Sequence, residues 1–204
     1  MLAVIDYGAG NLRSVLHALR TLGANDLHIV QDGDALRGAT RIILPGVGAF
    51  GAGIQQLREK GFVEPLGATV RAGTPCLGIC LGMQFLFERS DEMGEHAGLG
   101  LLPGHVTRFA PAARRKVPHM GWNRLLPRRP SPLLAGIDAD SQVYFVHSYR
   151  CVPQCPEDVI AGTAYGEVFV SAVQRGMLFG VQFHPEKSQR VGLQMLHNFL
   201  ELAA

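Results

Sequence analysis

At 204 residues, with 47% hydrophobic and 18% charged side chains, the chain has the length of one ordinary domain (1–204) and a globular composition, which excludes a disordered or fibrous protein. The formal net charge of +2 selects no partner, and the basic clusters "RRK" (114–116) and "PRR" (127–129) are short and sit beside prolines, a pattern of solvated loop rather than nucleic-acid binding. No apolar run approaches the roughly 18 residues that span a bilayer, and the opening "MLAVIDYGAG" lacks the charged leader of a secretion signal, so a cytoplasmic protein with no membrane partner is expected.

In chain order, "LAVI" (2–5) predicts a strand, and Leu12, Val15, Leu16, Leu19 and Leu22 at helical spacing predict a helix closed by Gly23, with Asn11 as its N-cap. Strands follow at "LHIV" (27–30) and "RIILP" (41–45), then a helical segment over about 53–72. "PCLGI" (75–79) predicts a strand that feeds a helix at 81–88. This alternation implies a mostly parallel sheet covered on both faces. The second half is richer in strands: "VYFVHSYR" (143–150), "VIAGTAY" (159–165), "EVFVSAVQ" (167–174) and "MLFGVQF" (177–183). The short "RG" link at 175–176 predicts a hairpin, which makes the sheet mixed. The tail from Ser188, a candidate N-cap, reads as a closing helix.

Four positions invite chemistry. "GAGNLR" (8–13) lies between a strand and a helix, but Arg13 replaces the third glycine of a dinucleotide fingerprint, even though Asp32 and Asp34 stand at a suitable distance for a ribose. A tight turn is the better reading. Gly78-Ile79-Cys80-Leu81-Gly82 has the G-x-nucleophile-x-G form of a strand-to-helix elbow, which would expose the thiol at a helix N-terminus where the thiolate is favoured. Taken alone, it is equally a buried cysteine between packing glycines. "FHPEKSQ" (183–189) tips the balance, because His184 and Glu186, two apart at a strand end, should share a face and complete a Cys-His-Glu triad. Acyl chemistry also needs an oxyanion hole: Leu81 N–H is one natural donor, and "LPGVGAF" (44–50), with Gly46 and Gly48 around Val47, can present another. The four cysteines form two C-x3-C pairs, Cys76/Cys80 and Cys151/Cys155, whose spacing is wider than that of common zinc sites and whose expected compartment keeps thiols reduced. Neither a metal nor any other cofactor is expected.

These residues resemble the class I glutamine amidotransferases, whose glutaminase domains carry a G-x-C-x-G elbow and a later H-P-E. Within that family, "IDYGAGNLRSV" (5–15), "PGVG", "KVPHMGWN" (116–123), "YFVHSY" (144–149) and "HPEKSQ" are similar to the glutaminase subunits of imidazole glycerol phosphate synthases, and together they cover nearly the whole chain. The resemblance implies a three-layer α/β fold around a central mostly parallel, mixed sheet. It implies that Cys80, His184 and Glu186 hydrolyse glutamine through a thioester, with Gly46, Val47, Gly48, Leu81, Gln84, Ser148 and Tyr149 holding the substrate. It also implies that ammonia passes to a separate (β/α)8-barrel cyclase, with Trp122, Tyr144 and Lys187 near the interface. Rival readings are a class I glutaminase serving another synthase, such as one making pyridoxal phosphate, a non-catalytic regulator on the same scaffold, and a hydrolase of other amides or esters. The triad positions are intact, which disfavours the regulator.

Overall fold

The structure, a computed structural model, describes residues 1–8, 11–110 and 116–202. Ala9 and Gly10 of the first glycine turn and Arg114 and Arg115 of the first basic cluster lie outside the described residues. The strands are β1 (Leu2–Ile5), β2 (Leu27–Val30), β3 (Arg41–Leu44), β4 (Cys76–Ile79), β5 (Phe87–Ser90), β6 (His96–Ala97), β7 (Leu102–Arg108), β8 (His119–Arg124), β9 (Leu126–Pro127), β10 (Gln142–His147), β11 (Tyr149–Pro153), β12 (Val159–Ala164), β13 (Val168–Arg175) and β14 (Leu178–Val181). The helices are α1 (Leu12–Thr21), α2 (Phe50–Glu59), α3 (Val63–Arg71), α4 (Leu81–Phe85) and α5 (Gln189–Leu200). Among the described residues no helix is long and apolar enough to cross a membrane.

The main sheet runs β2-β1-β3-β4-β14-β13-β12-β9. Its first five strands are mutually parallel and the remaining pairings are antiparallel. Period-two alternation splits its side chains between two cores. Leu2 and Val4 pack with Val15 and Leu19 of α1 and with Leu196 and Phe199 of α5. Ala3 and Ile5 pack with Phe50 and Ile54 of α2, Leu66 of α3 and Phe85 of α4. The result is a three-layer sandwich with the mixed central sheet expected from the sequence. The expected hairpin joins β13 to β14, pairing Arg175 with Leu178 across Gly176 and Met177.

Several elements differ from the sequence reading. The helix after Cys80 stops at Phe85, because Phe87–Ser90 pairs with β6 and β7 in a four-stranded sheet of order β11-β7-β5-β6. The run 143–150 breaks at Ser148, where the chain leaves its pairing with β8 and begins pairing with β7. The segment 53–72 is two helices parted near Gly61, a left-handed glycine (φ +69°). Neither proposed N-cap bonds a backbone N–H of its own helix: Asn11 Oδ1 accepts from the Ser14 hydroxyl, and the Ser188 hydroxyl is used elsewhere.

Register decides where chemistry can sit. Leu44 of β3 pairs with Gly78 of β4, and Ile79 of β4 with Val181 of β14, so three adjacent parallel strands end together. The turn after β3, Cys80 after β4 and the 182–186 segment after β14 therefore emerge at one carboxyl edge, where open α/β sheets bind ligands.

Candidate active site

Cys80 has φ +54° and ψ −108°, a backbone conformation that a residue with a side chain adopts only under constraint. The flanking glycines supply that constraint. A Cβ on Gly82 would lie 1.9 Å from the Leu44 carbonyl oxygen, and one on Gly78 would lie 2.7 Å from the Gly82 carbonyl oxygen. The elbow thus folds tightly enough against itself and β3 that both positions exclude a side chain. Gly46 belongs to the same packing, since its Cβ would lie 2.7 Å from the Gly82 nitrogen. It sits beneath the turn and not in the cleft.

The thiol is less open than the elbow motif suggests: Cys80 is only 6% exposed. It is reached through a cleft of about 290 Å³, lined among others by Val47, Gly48, Leu81, Gln84, Ser148 and Tyr149. That size is near the lower end for small-molecule pockets. Because α4 has only five residues, the macrodipole expected at Cys80 is that of little more than one turn. Gly48 has φ +97°, so the peptide that precedes it sits in a turn a glycine tolerates at little cost.

His184 and Glu186 do pair, but not through strand alternation. β14 ends at Val181, and a 3-10 turn at Pro185–Lys187 brings the Glu186 carboxylate to 2.8 Å from His184 Nδ1. Both side chains are almost completely buried, and His184 Nε2 and Glu186 Oε2 have no hydrogen-bond partner among the described residues. The His184 backbone is clamped on both sides. Its N–H donates to Tyr144 O (2.9 Å), and its carbonyl accepts from the Ser188 hydroxyl (2.6 Å), whose oxygen also accepts from Tyr144 N–H (3.0 Å). Burial opposes charge on the ring, but interactions with Cys80 and Glu186 outweigh it and raise the His184 pKa to about 10. With Nδ1 engaged by the carboxylate, Nε2 is the nitrogen left for proton transfer.

Four residues of this site escaped the sequence reading. Gln182, fully buried, donates from Nε2 to Cys80 Sγ (3.8 Å) and accepts at Oε1 from Gln84 Nε2 (3.1 Å). Its only signal was a polar residue in the apolar run before H-P-E. Glu92 lines the cleft and accepts the Phe50 N–H at the start of α2 (2.7 Å). His147 lines the cleft and bonds Tyr149 O through Nδ1 (2.7 Å), while its Nε2 lies 3.1 Å from His119 Nδ1. Since the carbonyl requires a donor, His147 carries its proton on Nδ1 and accepts from His119, whose Nε2 in turn faces Asn123 Nδ2 (3.3 Å). Burial lowers the pKa of His119 to about 4; burial also lowers that of His147 to about 3, partly opposed by its bond to the Tyr149 carbonyl and reinforced by the neighbouring His119 and His184 rings. Both rings are neutral at physiological pH.

The other candidates lie apart from this chemistry. Asp32 accepts the Ala35 N–H and Asp34 pairs with Arg37, so both serve local turns. All four cysteines are free thiols, and burial raises the pKa of Cys76 to about 12 and that of Cys151 well above its ordinary value. Arg129 is tied to the Glu157 and Gln174 carbonyls. Trp122 is 44% exposed and stands edge-on to Tyr144, with ring centroids 6.0 Å apart. The ammonium of Lys187 lies 6.0 Å from the Tyr144 ring, and Met120 is 63% exposed.

A nucleophile elbow and a buried histidine–carboxylate pair at the carboxyl edge of a three-layer sheet define a class of enzyme, and the chain's sequence agrees: residues 3–203 match the family model "Glutamine amidotransferase class-I", so the chain belongs to that family. Among curated proteins it is 49% identical over 207 residues to the imidazole glycerol phosphate synthase subunit HisH of Salinibacter ruber, covering 99% of this chain and 94% of that one. It is 50% identical to the protein of the same name from Moorella thermoacetica (98% and 94% covered). Among solved structures, a glutamine amidotransferase superposes with a TM-score of 0.76 at 22% identity (98% and 97% covered), and PurLQS from Thermotoga maritima with 0.75 at 21% identity (98% and 96%). The structural likenesses carry the fold.

Proposed function

We propose that the chain, as one glutaminase domain over 1–204, is the glutaminase subunit of an imidazole glycerol phosphate synthase, hydrolysing glutamine and passing the ammonia to a separate cyclase in histidine biosynthesis. The observation that carries the chemistry is the buried Cys80, His184 and Glu186 constellation: Cys80 and His184 line one cleft and interact, and His184 Nδ1 is held by Glu186, leaving Nε2 without a hydrogen-bond partner among the described residues. The Cys80 sulfur attacks the side-chain amide carbon of glutamine, a tetrahedral oxyanion forms, and the C–N bond breaks as His184 delivers its proton to the departing ammonia. Water, deprotonated by His184, then attacks the thioester, the C–S bond breaks, and glutamate leaves. Glu186 keeps the ring in one tautomer and balances its charge. The Leu81 N–H and the Val47–Gly48 peptide are the oxyanion donors.

The polar lining suits an amino acid. Glu92 is a carboxylate at the cleft and matches the α-ammonium, while Gln84 and the Ser148–Tyr149 backbone hold the rest of the amino-acid end. The exposed Trp122, with Met120, Tyr144 and Lys187, forms an apolar and cationic surface on which a (β/α)8-barrel cyclase docks. Because the backbone of Tyr144 clamps His184, that surface lies one residue from the triad. The close relatives' shared name supports this assignment over a glutaminase serving another synthase. The test is affinity capture from native extract together with glutamate release. A barrel cyclase should co-purify, and Cys80→Ala should bind it while releasing no glutamate. Capture of a different synthase would overturn the assignment of partner, and a fully active Cys80→Ala would overturn the chemistry.

A further inference from the structure

The glutaminase chemistry proposed above needs a sulfur that is anionic when it attacks and again when it leaves. α4 is too short for its dipole to supply much of that stabilisation, and the Cys80 thiol is almost completely buried. Gln182 is the one side-chain amide that bonds the sulfur among the described residues, and its orientation can be worked out from its neighbours. The Tyr149 carbonyl can only accept, so the nitrogen of the Gln84 amide must face it (3.3 Å). The same Gln84 nitrogen faces Gln182 at 3.1 Å, so the Gln182 atom there must be its oxygen. Gln182 Nε2 is therefore turned to Cys80 Sγ, at a distance of 3.8 Å. Flipping the amide would set two donors against each other at Gln84 and an acceptor against the sulfur.

We infer that Gln182 is the fixed N–H donor to the reacting sulfur, holding Cys80 in its attacking rotamer and stabilising the thiolate in both the acylation and deacylation steps. The inference rests on Cys80 being the nucleophile. A bond to the charged form raises the thiolate fraction by more than it lowers nucleophilicity, because thiolate reactivity falls by only about half a decade per decade of basicity. The same donor eases expulsion of the thiolate from the thioester. The network also ties the sulfur to the substrate side, since Gln84, bonded to Gln182, reaches Tyr149 at the amino-acid end of the cleft.

The test uses Gln182→Glu and Gln182→Met in the full chain. Glutamate at 182 keeps the acceptor for Gln84 and replaces only the donor at the sulfur, whereas methionine removes both and preserves bulk. The readout is the rate of Cys80 alkylation by iodoacetamide from pH 5 to pH 10, located by peptide mass spectrometry, alongside kcat and KM for glutamine. Both variants should move the midpoint of the alkylation profile to higher pH by about one unit, which near neutrality slows alkylation roughly threefold, the roughly tenfold loss of thiolate being half offset by its higher nucleophilicity. Gln182→Glu should lower kcat with little change in KM, and Gln182→Met should also raise KM. Unchanged alkylation profiles in the folded variants would overturn the inference, and if Gln182→Met does not fold, Gln182→Glu decides alone. If alkylating Cys80 in the wild-type chain leaves glutamate release intact, the nucleophile assignment itself fails, an outcome distinct from a failure at Gln182.

Discussion

Gly82→Ala is expected to damage both stability and catalysis. The added methyl would lie 1.9 Å from the Leu44 carbonyl oxygen and 2.9 Å from its carbon, against the 3.0 Å below which Cβ atoms are essentially never found, so the two backbones must part by about 1.1 Å. Neither partner is a flexible side-chain tip: Leu44 ends β3, and Gly82 is in the first turn of α4. Overpacking of this kind costs about 3 kcal/mol, the upper part of the usual range. The displacement falls where Leu44 leads into the Pro45–Gly48 turn, so the oxyanion donor moves relative to the sulfur, and a 1 Å misplacement costs about a hundredfold in rate. Gly136→Ala is the control, since Gly136 has φ +70° with open space around it and should cost only about 1 kcal/mol. Urea unfolding and steady-state glutamate release measure the two effects. A Gly82→Ala protein with wild-type midpoint and kcat would refute the steric account of the elbow.

Three other outcomes follow from the site. The His119 and His147 rings should remain neutral by NMR at pH 6, and because their folded pKa values lie below the ordinary 6.5, the stability they contribute is full above about pH 6.5 and lost as pH falls toward 4 and 3. Each should cost about 1.4 kcal/mol between pH 7.5 and 5.5, partly offset by His184, whose raised pKa acts in the opposite sense; a ring that titrates near 6.5 contradicts the assignment. Glu186→Gln should slow glutamine turnover less than His184→Ala, with the double variant resembling the worse single one, and the reverse order would exchange the two roles. Glutamate release by the isolated chain should rise by about a hundredfold to a thousandfold when the cyclase and an acceptor analogue are added, the worth of one oxyanion donor supplied by rotation of the Val47–Gly48 peptide, whereas equal rates in all states would leave that turn a fixed oxyanion hole.

The sequence was most readable where local chemistry and fold agree. The apolar runs of β1, β3, β4 and β14 announce buried parallel strands, and G-x-C-x-G announces an elbow because Gly78 and Gly82 touch backbone. What remained hidden depends on non-local pairing. Phe87–Ser90 continues a helical pattern but finds partners in β6 and β7, and "VYFVHSYR" gives no sign that Ser148 hands the chain from one sheet to another. The His184–Glu186 pair was foreseen with the wrong cause, since a strand end and a 3-10 turn both bring residues two apart together here. Gln182, Glu92, His119 and His147 were missed because their partners are far away in the chain, and a lone buried polar residue in an apolar run looks like any other break in the pattern.

The most direct test of the central claim is mass spectrometry of the chain with the proposed cyclase partner, quenched in acid during glutamine turnover. A γ-glutamyl adduct should appear on the peptide containing Cys80, accumulate at a rate consistent with glutamate release, and vanish in Cys80→Ser. Full turnover with no adduct, or turnover that survives Cys80→Ser, would contradict a thioester at this cysteine.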